Sequence, residues 1–391
     1  MYLTKHEERI LEGEEGEAKR IALKTIVKVG EVLGATRLVK LKRAHISGIS
    51  YKNIGDEGLE FIRKLVELNA NVACRTTTNP SAIPVNTECL PVSEDFERRQ
   101  KEIHSYLSTM GAELTLSCIP YEYSPPSLGE QIGWGESNAV LYANTILGAR
   151  TNREAAPLTI LEAIVARAPL IGLRTDEGRL PSCVVVVDKK LESEMKNNKI
   201  APSIVGYTIG RVVKNGVPFI KCKVYGYIKE FLAGIGASSS IGMVHLDGIS
   251  PEAEKATRHL RNLEKITVDY KEVRECEELI TMNFEEADAY LLGCPHLSPS
   301  ELKSILMYST STHRDISVIL TTSAWVYQKF KQLIDKLRKR GFIVLPGTCL
   351  VVAPLENLDI KRIITDSAKA AYYLSSQGLE VSIVPREVIL K

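Results

Sequence analysis

The chain has 391 residues, of which 44% are hydrophobic and 25% are charged, and its formal net charge is +2. This composition is typical of a folded protein with a sizeable core, and the length favours two or three domains. The near-neutral charge gives no support for nucleic-acid binding, and no apolar run approaches the roughly 20 residues that cross a bilayer. Residues 1–20 are charged and lack the apolar core of a signal peptide, so we expect a cytoplasmic protein with no membrane partner.

The first part of the sequence alternates between helical and extended patterns. Thr4 and Glu7 have the spacing of a capping box, which predicts that a helix begins here. Ser93 is the expected cap of a later helix. The predicted helices are 4–33, 56–70, 93–110 and 136–149, and the predicted strands are 38–50, which runs into a Gly/Ser loop, 71–80 and 112–118.

The rest of the sequence continues this alternation. Ser250–Pro251 and Ser298–Pro299 each place a proline where the first turn of a helix is expected. Further helices are predicted at 156–169 and 227–240, and further strands at 181–190, 287–294, 316–323, 341–349 and 379–385. The alternation predicts an α/β fold with several domains whose parallel sheets are flanked by helices. We expect the domains to span 1–135, 136–250 and 251–391.

Three of the eight cysteines, Cys118, Cys294 and Cys349, follow apolar runs where a strand is expected to end. The SGIS loop at 47–50 and the TNP segment at 78–80 also follow predicted strands, and parallel sheets bind ligands at the carboxyl ends of their strands. Three thiolates can hold an iron–sulfur cluster that leaves one iron open to substrate, where it acts as a Lewis acid. Three buried core thiols are the alternative, because no CxxC pair is present.

The other five cysteines are expected to be core thiols rather than ligands or halves of disulfides, because disulfide frameworks are rare in cytosolic proteins. They are Cys74, Cys89, Cys183, Cys222 and Cys276.

Several longer motifs resemble those of the aconitase X family, in the family's order and over essentially the whole chain. They are AHISGISY (44–51), TTTNP (76–80), CIPY (118–121), WGESNAVLYANTILGARTNRE (134–154), GCPHLS (293–298) and GTC (347–349). The resemblance implies an aconitase-like fold, in which three α/β domains surround a central cluster cleft. It also implies a fourth, swivelling domain on a separate small subunit, so that this chain is half of an enzyme.

The resemblance further implies which residues form the site. Cys118, Cys294 and Cys349 would ligate the iron, most simply as a [4Fe-4S] cluster, with a [2Fe-2S] cluster or a single iron left open. Glu136 and Ser137 would be catalytic. The substrate would contact Gly48, Ile49, Ser50, Asn79, Pro80, Glu136, Ser137 and Lys369.

The GARTNRE motif and the segment near the C-terminus contain cations that could bind a carboxylate or phosphate. Arg150 is the preferred partner beside Lys369, because it ends the motif helix that starts at Glu136. Arg153 is expected to be a solvated surface residue. Glu136 is expected to hold or protonate the departing hydroxyl.

Two dehydrations are associated with the family. One converts the phosphorylated hydroxy acid (R)-5-phosphomevalonate to trans-anhydromevalonate 5-phosphate, and a two-chain architecture favours it. The other acts on cis-3-hydroxy-L-proline. A non-catalytic iron-sensing or RNA-binding relative is an alternative from another class, which the neutral net charge does not support. An assembly subunit whose cysteines only pack is a third possibility.

The resemblance places the proton-abstracting base, a serine, on the small subunit. Within this chain the conventional candidates are His45, His104, His245 and His296. His104 is expected to be structural. His296 is expected either to bond to a cluster sulfur or bound water, or to cap its loop.

Overall fold

The computed structural model describes residues 1–85, 90–198, 200–224, 226–284, 286–309 and 316–390. Cys89 lies outside these ranges, so the prediction for it has no structural counterpart. Within them, no helix is both long enough and apolar enough to cross a membrane.

The first part of the chain builds two small sheets. Strands β3, β2 and β4 form a parallel sheet in that order, and β1 pairs antiparallel with β5. The helices are α1 Lys5–Glu12, α2 Glu17–Leu33, α3 Tyr51–Glu67, α4 Glu94–Thr109, α5 Ser137–Thr145 and α6 Ala156–Val165. The strands are β1 Leu38–Lys40, β2 Arg43–Ile46, β3 Arg75–Thr78, β4 Ile132–Trp134 and β5 Arg167–Pro169.

The middle part forms a four-stranded parallel sheet in the order β8-β7-β6-β9. Its central strand is a run of valines, as expected for a strand that is covered on both faces. The strands are β6 Cys183–Val187, β7 Pro218–Lys221, β8 His245–Leu246 and β9 Lys265–Val268. The helices are α7 Lys189–Asn197, α8 Ala201–Val213, α9 Ile228–Ser238, α10 Ala253–Thr257 and α11 Tyr270–Glu278.

The last part forms a five-stranded parallel sheet in the order β12-β11-β10-β13-β14. The strands are β10 Ala289–Leu292, β11 Ser317–Thr322, β12 Ile343–Pro346, β13 Arg362–Thr365 and β14 Glu380–Ile383. The helices are α12 Pro299–Tyr308, α13 Ala324–Lys329, α14 Lys331–Lys339, α15 Ala368–Ser376 and α16 Arg386–Leu390. The predicted α/β class with parallel sheets is therefore confirmed, while the predicted domain limits stay a prediction.

Two of the predicted helix starts are confirmed in detail. Thr4 and Glu7 form a capping box at α1, and Ser298 and Glu301 form one at α12, with Pro299 in the first turn. The predicted start at Pro251 is wrong, because α10 begins at Ala253.

Two predicted elements are wrong in their extent. The predicted helix 4–33 is two helices, because Gly13 and Gly16 adopt φ of 92° and 95° between them, a conformation that ends a helix. The segment 112–118 is not a regular strand. Leu116 has φ of 44°, and the segment bonds to β3 only at intervals, as where Ser117 N donates to Thr78 O at 2.9 Å.

Helix α9 supports the centre of the molecule, since it packs against α5, α8 and α15. Its contact with α8 is close because both helices have glycine at the crossing. A Cβ on Gly206 would lie 2.1 Å from Phe231 O, and one on Gly234 would lie 2.3 Å from Ser203 O. The helices α5 and α15 therefore share one rigid support, which fixes the residues at their N-termini relative to each other.

Candidate functional site

A pocket of about 340 Å³ lies where the first and last parts of the chain meet. They are joined there by backbone contacts, such as the bridge between Ser81 and Thr348. Eleven of the twelve predicted site residues line the pocket: Gly48, Ile49, Ser50, Asn79, Pro80, Cys118, Glu136, Ser137, Cys294, Cys349 and Lys369.

The topology explains this convergence. Residues 47–50 follow β2, residues 79–80 follow β3, and residues 135–136 join β4 to α5. These strands are parallel, so their carboxyl ends share one edge of the sheet. Cys294 and Cys349 follow β10 and β12 at the equivalent edge of the five-stranded sheet. Cys118 follows the irregular segment beside β3, not the end of a strand.

A buried ion pair forms one wall of the pocket. Lys369 Nζ lies 2.7 Å from Glu136 Oε1 and 3.3 Å from Ser137 Oγ, and Asn79 Nδ2 donates to Glu136 Oε2 at 3.0 Å. Burial alone would raise the pKa of Glu136, but the Lys369 ammonium and the two hydrogen bonds outweigh it and lower the pKa to about 2. Burial alone would lower the pKa of Lys369, but the nearby Glu136 carboxylate outweighs burial and raises it.

The Glu136 carboxylate is therefore ionised at neutral pH. A group in that state accepts hydrogen bonds but has no proton to give. The contacts of Glu136 favour a role in orienting substrate or Lys369, and its protonation of a departing hydroxyl stays a prediction.

Several helices begin at the pocket. Ser50 precedes α3, Glu136 precedes α5, and Ala156 is the first residue of α6. In none of the three does the preceding residue cap the helix with its own side chain, although Tyr51 N of α3 donates to Gln100 Oε1 at 2.8 Å. Because the free N–H groups and the positive end of the macrodipole lie at a helix N-terminus, this wall of the pocket favours anions.

Gly48 allows the loop after β2 to approach α6. Its φ is 63°, and a Cβ at this position would lie 2.5 Å from the Cβ of Ala156. A larger residue would be strained by the backbone conformation and would also collide with the start of α6.

The three cysteines predicted as ligands are free thiols, and all three line the pocket. Cys118 Sγ accepts a hydrogen bond from His296 N at 3.2 Å. The Cys349 thiol lies within hydrogen-bonding reach of the Cys294 thiol and of the backbone N–H of Val351. Backbone N–H groups directed at sulfur stabilise the thiolate form that metal binding needs.

These thiols fit the cluster that the family implies. No three ligand side chains in the described part of the chain are arranged to hold a metal ion. A cluster is larger than a single ion, however, so its ligands lie farther apart than the ligands of one ion. Thiols that are spread around a pocket therefore suit a cluster. Burial raises the pKa of Cys118 to about 12, so this thiol is neutral until a metal displaces its proton.

The four candidate histidines do not line the pocket. His296 is fully buried, and its Nε2 lies 2.8 Å from Thr348 O. The ring of His296 therefore holds its loop, and the bond to Cys118 Sγ is made by the backbone N–H and not by the ring. A bond from His296 to a cluster sulfur or to bound water stays a prediction. His104 contacts Gln100 within α4, and His245 contacts the backbone of Arg179.

Arg150 is the one predicted contact residue that the structure places elsewhere. Its guanidinium pairs with Asp176 and lies 3.5 Å from Glu252, outside the pocket. Arg153 lines the pocket instead, and its Nη1 donates to Ser239 O at 2.7 Å. The expectations for both arginines are therefore wrong. The break after α5 turns Arg150 and Arg153 to different sides, which helical spacing from Glu136 does not reveal.

Tyr373 and Asn53 also line the pocket and were missed by the sequence analysis. Tyr373 follows Lys369 by four residues in α15, and Asn53 follows Ser50 by three residues in α3. Residues at these spacings share one face of a helix, so both could have been predicted from their predicted neighbours. Another cavity, of about 740 Å³, contains none of the predicted site residues, and its charged groups Lys229, Glu301 and Arg386 are ion-paired.

Models of three consecutive domains match this chain: the aconitase X first domain over residues 1–177, the second over 181–278 and the third over 287–391. A crystal structure described as aconitase X of Thermococcus kodakaraensis in its holo-form superposes with a TM-score of 0.90 at 35% identity, covering 100% of this chain and 99% of that one.

Characterised relatives carry two names. The phosphomevalonate dehydratase large subunit of Thermococcus kodakarensis is 36% identical over 100% of this chain and 99% of its own length. That of Methanocaldococcus jannaschii is 34% identical over 96% of each. The cis-3-hydroxy-L-proline dehydratase of Pseudomonas aeruginosa is 30% identical over 95% of this chain but only 66% of its own length. With all three domain models matched in order and relatives aligned end to end, this chain belongs to the aconitase X family.

Proposed function

We propose that this chain is the large, catalytic subunit of a phosphomevalonate dehydratase. The reaction removes water from (R)-5-phosphomevalonate to give trans-anhydromevalonate 5-phosphate. A C–H bond beside the carboxylate and the C–O bond of the neighbouring hydroxyl break, and a C=C bond forms. The observation that carries the proposal is one pocket lined by Cys118, Cys294 and Cys349 together with the Lys369–Glu136 pair. Relatives with this name also match over nearly their full length.

Cys118, Cys294 and Cys349 are the residues that would hold an iron–sulfur cluster, which we propose to be [4Fe-4S]. Three protein thiolates leave one position of such a cluster without a protein ligand. When bound there, the cluster supplies a Lewis acid that makes hydroxide a better leaving group. A [2Fe-2S] cluster and a single iron differ from it in iron and sulfide content, so elemental analysis separates the three.

The substrate has a carboxylate at one end and a phosphate at the other, and the pocket offers matching groups for both. Among the described residues Arg153 forms no ion pair, so its charge is available to an anion. Lys369 is held beside Glu136 with a second hydrogen bond to Ser137. The starts of α3, α5 and α6 add positive potential from their helix dipoles.

The proton next to the substrate carboxylate needs a base. Among the described residues no histidine lines the pocket, and both of its carboxylates are ion-paired, Glu136 with Lys369 and Glu154 with Arg174. We propose that a small subunit closes over the pocket and supplies the base, a serine of its swivelling domain. The name "large subunit" carried by the archaeal relatives supports a two-chain enzyme.

The test is an anaerobic assay of this chain, co-purified with its small subunit, on (R)-5-phosphomevalonate and separately on cis-3-hydroxy-L-proline. Water loss from the phosphorylated acid alone is the expected result. Turnover of hydroxyproline alone would replace the proposed substrate, and inactivity on both substrates with iron bound would overturn the proposed reaction. An Arg153→Gln variant with unchanged KM for the phosphorylated acid would remove Arg153 from the anion site.

A further inference from the structure

His45 lies in β2, directly behind the wall of the pocket, and does not line the pocket itself. Its side chain is fully buried, and both ring nitrogens have partners. Nδ1 lies 2.8 Å from Thr77 Oγ1, and Nε2 lies 3.2 Å from Asn79 Oδ1. The ring also contacts Trp134 edge to face, with centroids 6.0 Å apart. His45 is therefore held from several sides by the sheet that carries the pocket loops.

The contacts of Asn79 determine which imidazole nitrogen carries the proton. Asn79 Nδ2 faces the Glu136 carboxylate, which only accepts hydrogen bonds, so Asn79 Oδ1 must be the atom that faces His45. An amide oxygen also only accepts, and His45 Nε2 must therefore donate. Burial lowers the pKa of His45 to about 4, so the ring is neutral and its Nδ1 accepts from Thr77.

The opposite orientation of the Asn79 amide is unfavourable. It would place the amide oxygen against the Glu136 carboxylate and would leave two acceptors facing each other without a proton between them. A donor at the position of His45 Nε2 disfavours that orientation further. Beside this chain from Thr77 through His45 and Asn79 to Glu136, the backbone of Ser117 also lies within hydrogen-bonding reach of the imidazole.

We propose that His45 is a positioning residue, which fixes the Asn79 amide and thereby holds Glu136 and Lys369 in place in the pocket. Its effect on turnover rests on the proposed function, whereas its protonation at Nε2 does not.

The tautomer is tested directly by nitrogen NMR of the chain labelled at histidine, with His45→Gln used to assign the signal. At neutral pH we expect a neutral ring protonated at Nε2. A ring protonated at Nδ1, or a charged ring, would overturn the proposal whatever the enzyme's substrate is.

The kinetic test compares His45→Leu and His45→Gln in the two-subunit enzyme. The leucine variant has no donor, and we expect kcat/KM to fall roughly 10-fold to 100-fold, while the glutamine variant, whose amide can donate to Asn79, recovers part of the loss. His245→Leu is the matched control, because His245 is also buried but bonds to Arg179 O away from the pocket.

Equal kcat/KM for His45→Leu and His245→Leu would overturn the proposal, and so would a glutamine variant no better than leucine. If the leucine variant does not fold, the glutamine variant and the NMR measurement decide. A wild-type enzyme inactive on both substrates would instead count against the proposed function and leave the NMR result to decide on His45.

Discussion

At the scale of single residues, the Lys369–Glu136 pair combines a structural and a chemical role. Both side chains are largely buried, with 8% and 17% of their surfaces exposed, and each favours the charged form of the other. The pair holds the Lys369 ammonium in the wall of the pocket, where it can interact with a bound anion.

Lys369→Met leaves the Glu136 carboxylate buried without its cation. We expect the free energy of unfolding to fall by about 3 kcal/mol, as for other buried pairs broken from one side, and turnover to be lost. Chemical denaturation and the dehydration assay measure the two effects. Adding Glu136→Gln should restore most of the stability but no activity. A double variant as unstable as the single one would show that the pair is not the source of the loss.

The same pair predicts a pH dependence of stability. The pKa of Glu136 is lowered from 4.5 to about 2 in the folded chain, so its contribution is complete above pH 4.5 and is lost as the pH falls from 4.5 toward 2. The contribution is about 3 kcal/mol by that shift. Denaturation of the wild type and Glu136→Gln across this range should show their difference shrinking toward zero. A constant difference would mean that Glu136 is not ionised in the folded chain.

The cysteine assignment predicts different results for different thiols. We expect bound iron to be lost from anaerobically purified protein in each of three variants, Cys118→Ser, Cys294→Ser and Cys349→Ser, because each variant lacks one of the three proposed cluster ligands. Cys74→Ser and Cys276→Ser are controls, since neither thiol lines the pocket, and they should keep their iron. Iron that survives any of the first three substitutions would contradict the site.

The residues show what sequence can and cannot predict about the site. The carboxyl-end rule anticipated that Cys294 and Cys349 lie at one pocket, whereas Cys118 and Lys369 were indicated by the family motifs alone, since Cys118 follows no regular strand. The choice between Arg150 and Arg153 failed because it depends on how the chain turns after α5, and that turn is held by long-range bonds. One of them joins Asn144 Nδ2 to Gly242 O at 2.9 Å.

At the scale of elements, the close approach of the loop after β2 to α6 shapes the anion-binding wall. Gly48→Ala adds a Cβ that would lie 2.5 Å from Ala156 Cβ, at a φ of 63°. We expect a loss of about 1–3 kcal/mol from the backbone strain and a higher KM, because α6 or the loop must move away from the substrate.

Gly34→Ala is the matched control for that prediction. Gly34 also has a positive φ, of 85°, but a Cβ there would meet no atom within 4 Å. It should lose stability through strain alone and keep its KM. Equal KM values for the two variants, measured by steady-state kinetics in the two-subunit enzyme, would show that the Gly48 contact does not shape the pocket.

Elements with a strong local signal were predicted well, and elements set by tertiary contacts were not. The capping box at Thr4, the helix start at Ser298 and the valine strand β6 are confirmed. The segment 112–118 has the composition of a strand, but Leu116 adopts a positive φ and the segment follows β3 without joining the sheet. The sequence analysis did not predict β13. This strand is defined by its pairing with β10 on one side and β14 on the other, which are tertiary contacts.

At the scale of the whole molecule, three parallel sheets in succession match the aconitase X domains in order. The resemblance seen in the motifs is thus confirmed as family membership. The pocket is built from the first and last parts of the chain, while α9 of the middle part supports both α5 and α15. Every part of the chain therefore bears on the geometry of the site.

The central claim is that phosphomevalonate loses water at the pocket of the three cysteines. The most direct measurement is the formation of trans-anhydromevalonate 5-phosphate, followed by NMR under anaerobic conditions, with wild-type and Cys294→Ser enzymes assayed side by side with the small subunit. The account predicts product from the wild type and none from the variant. No product from the iron-loaded wild type, or equal product from both enzymes, would contradict it.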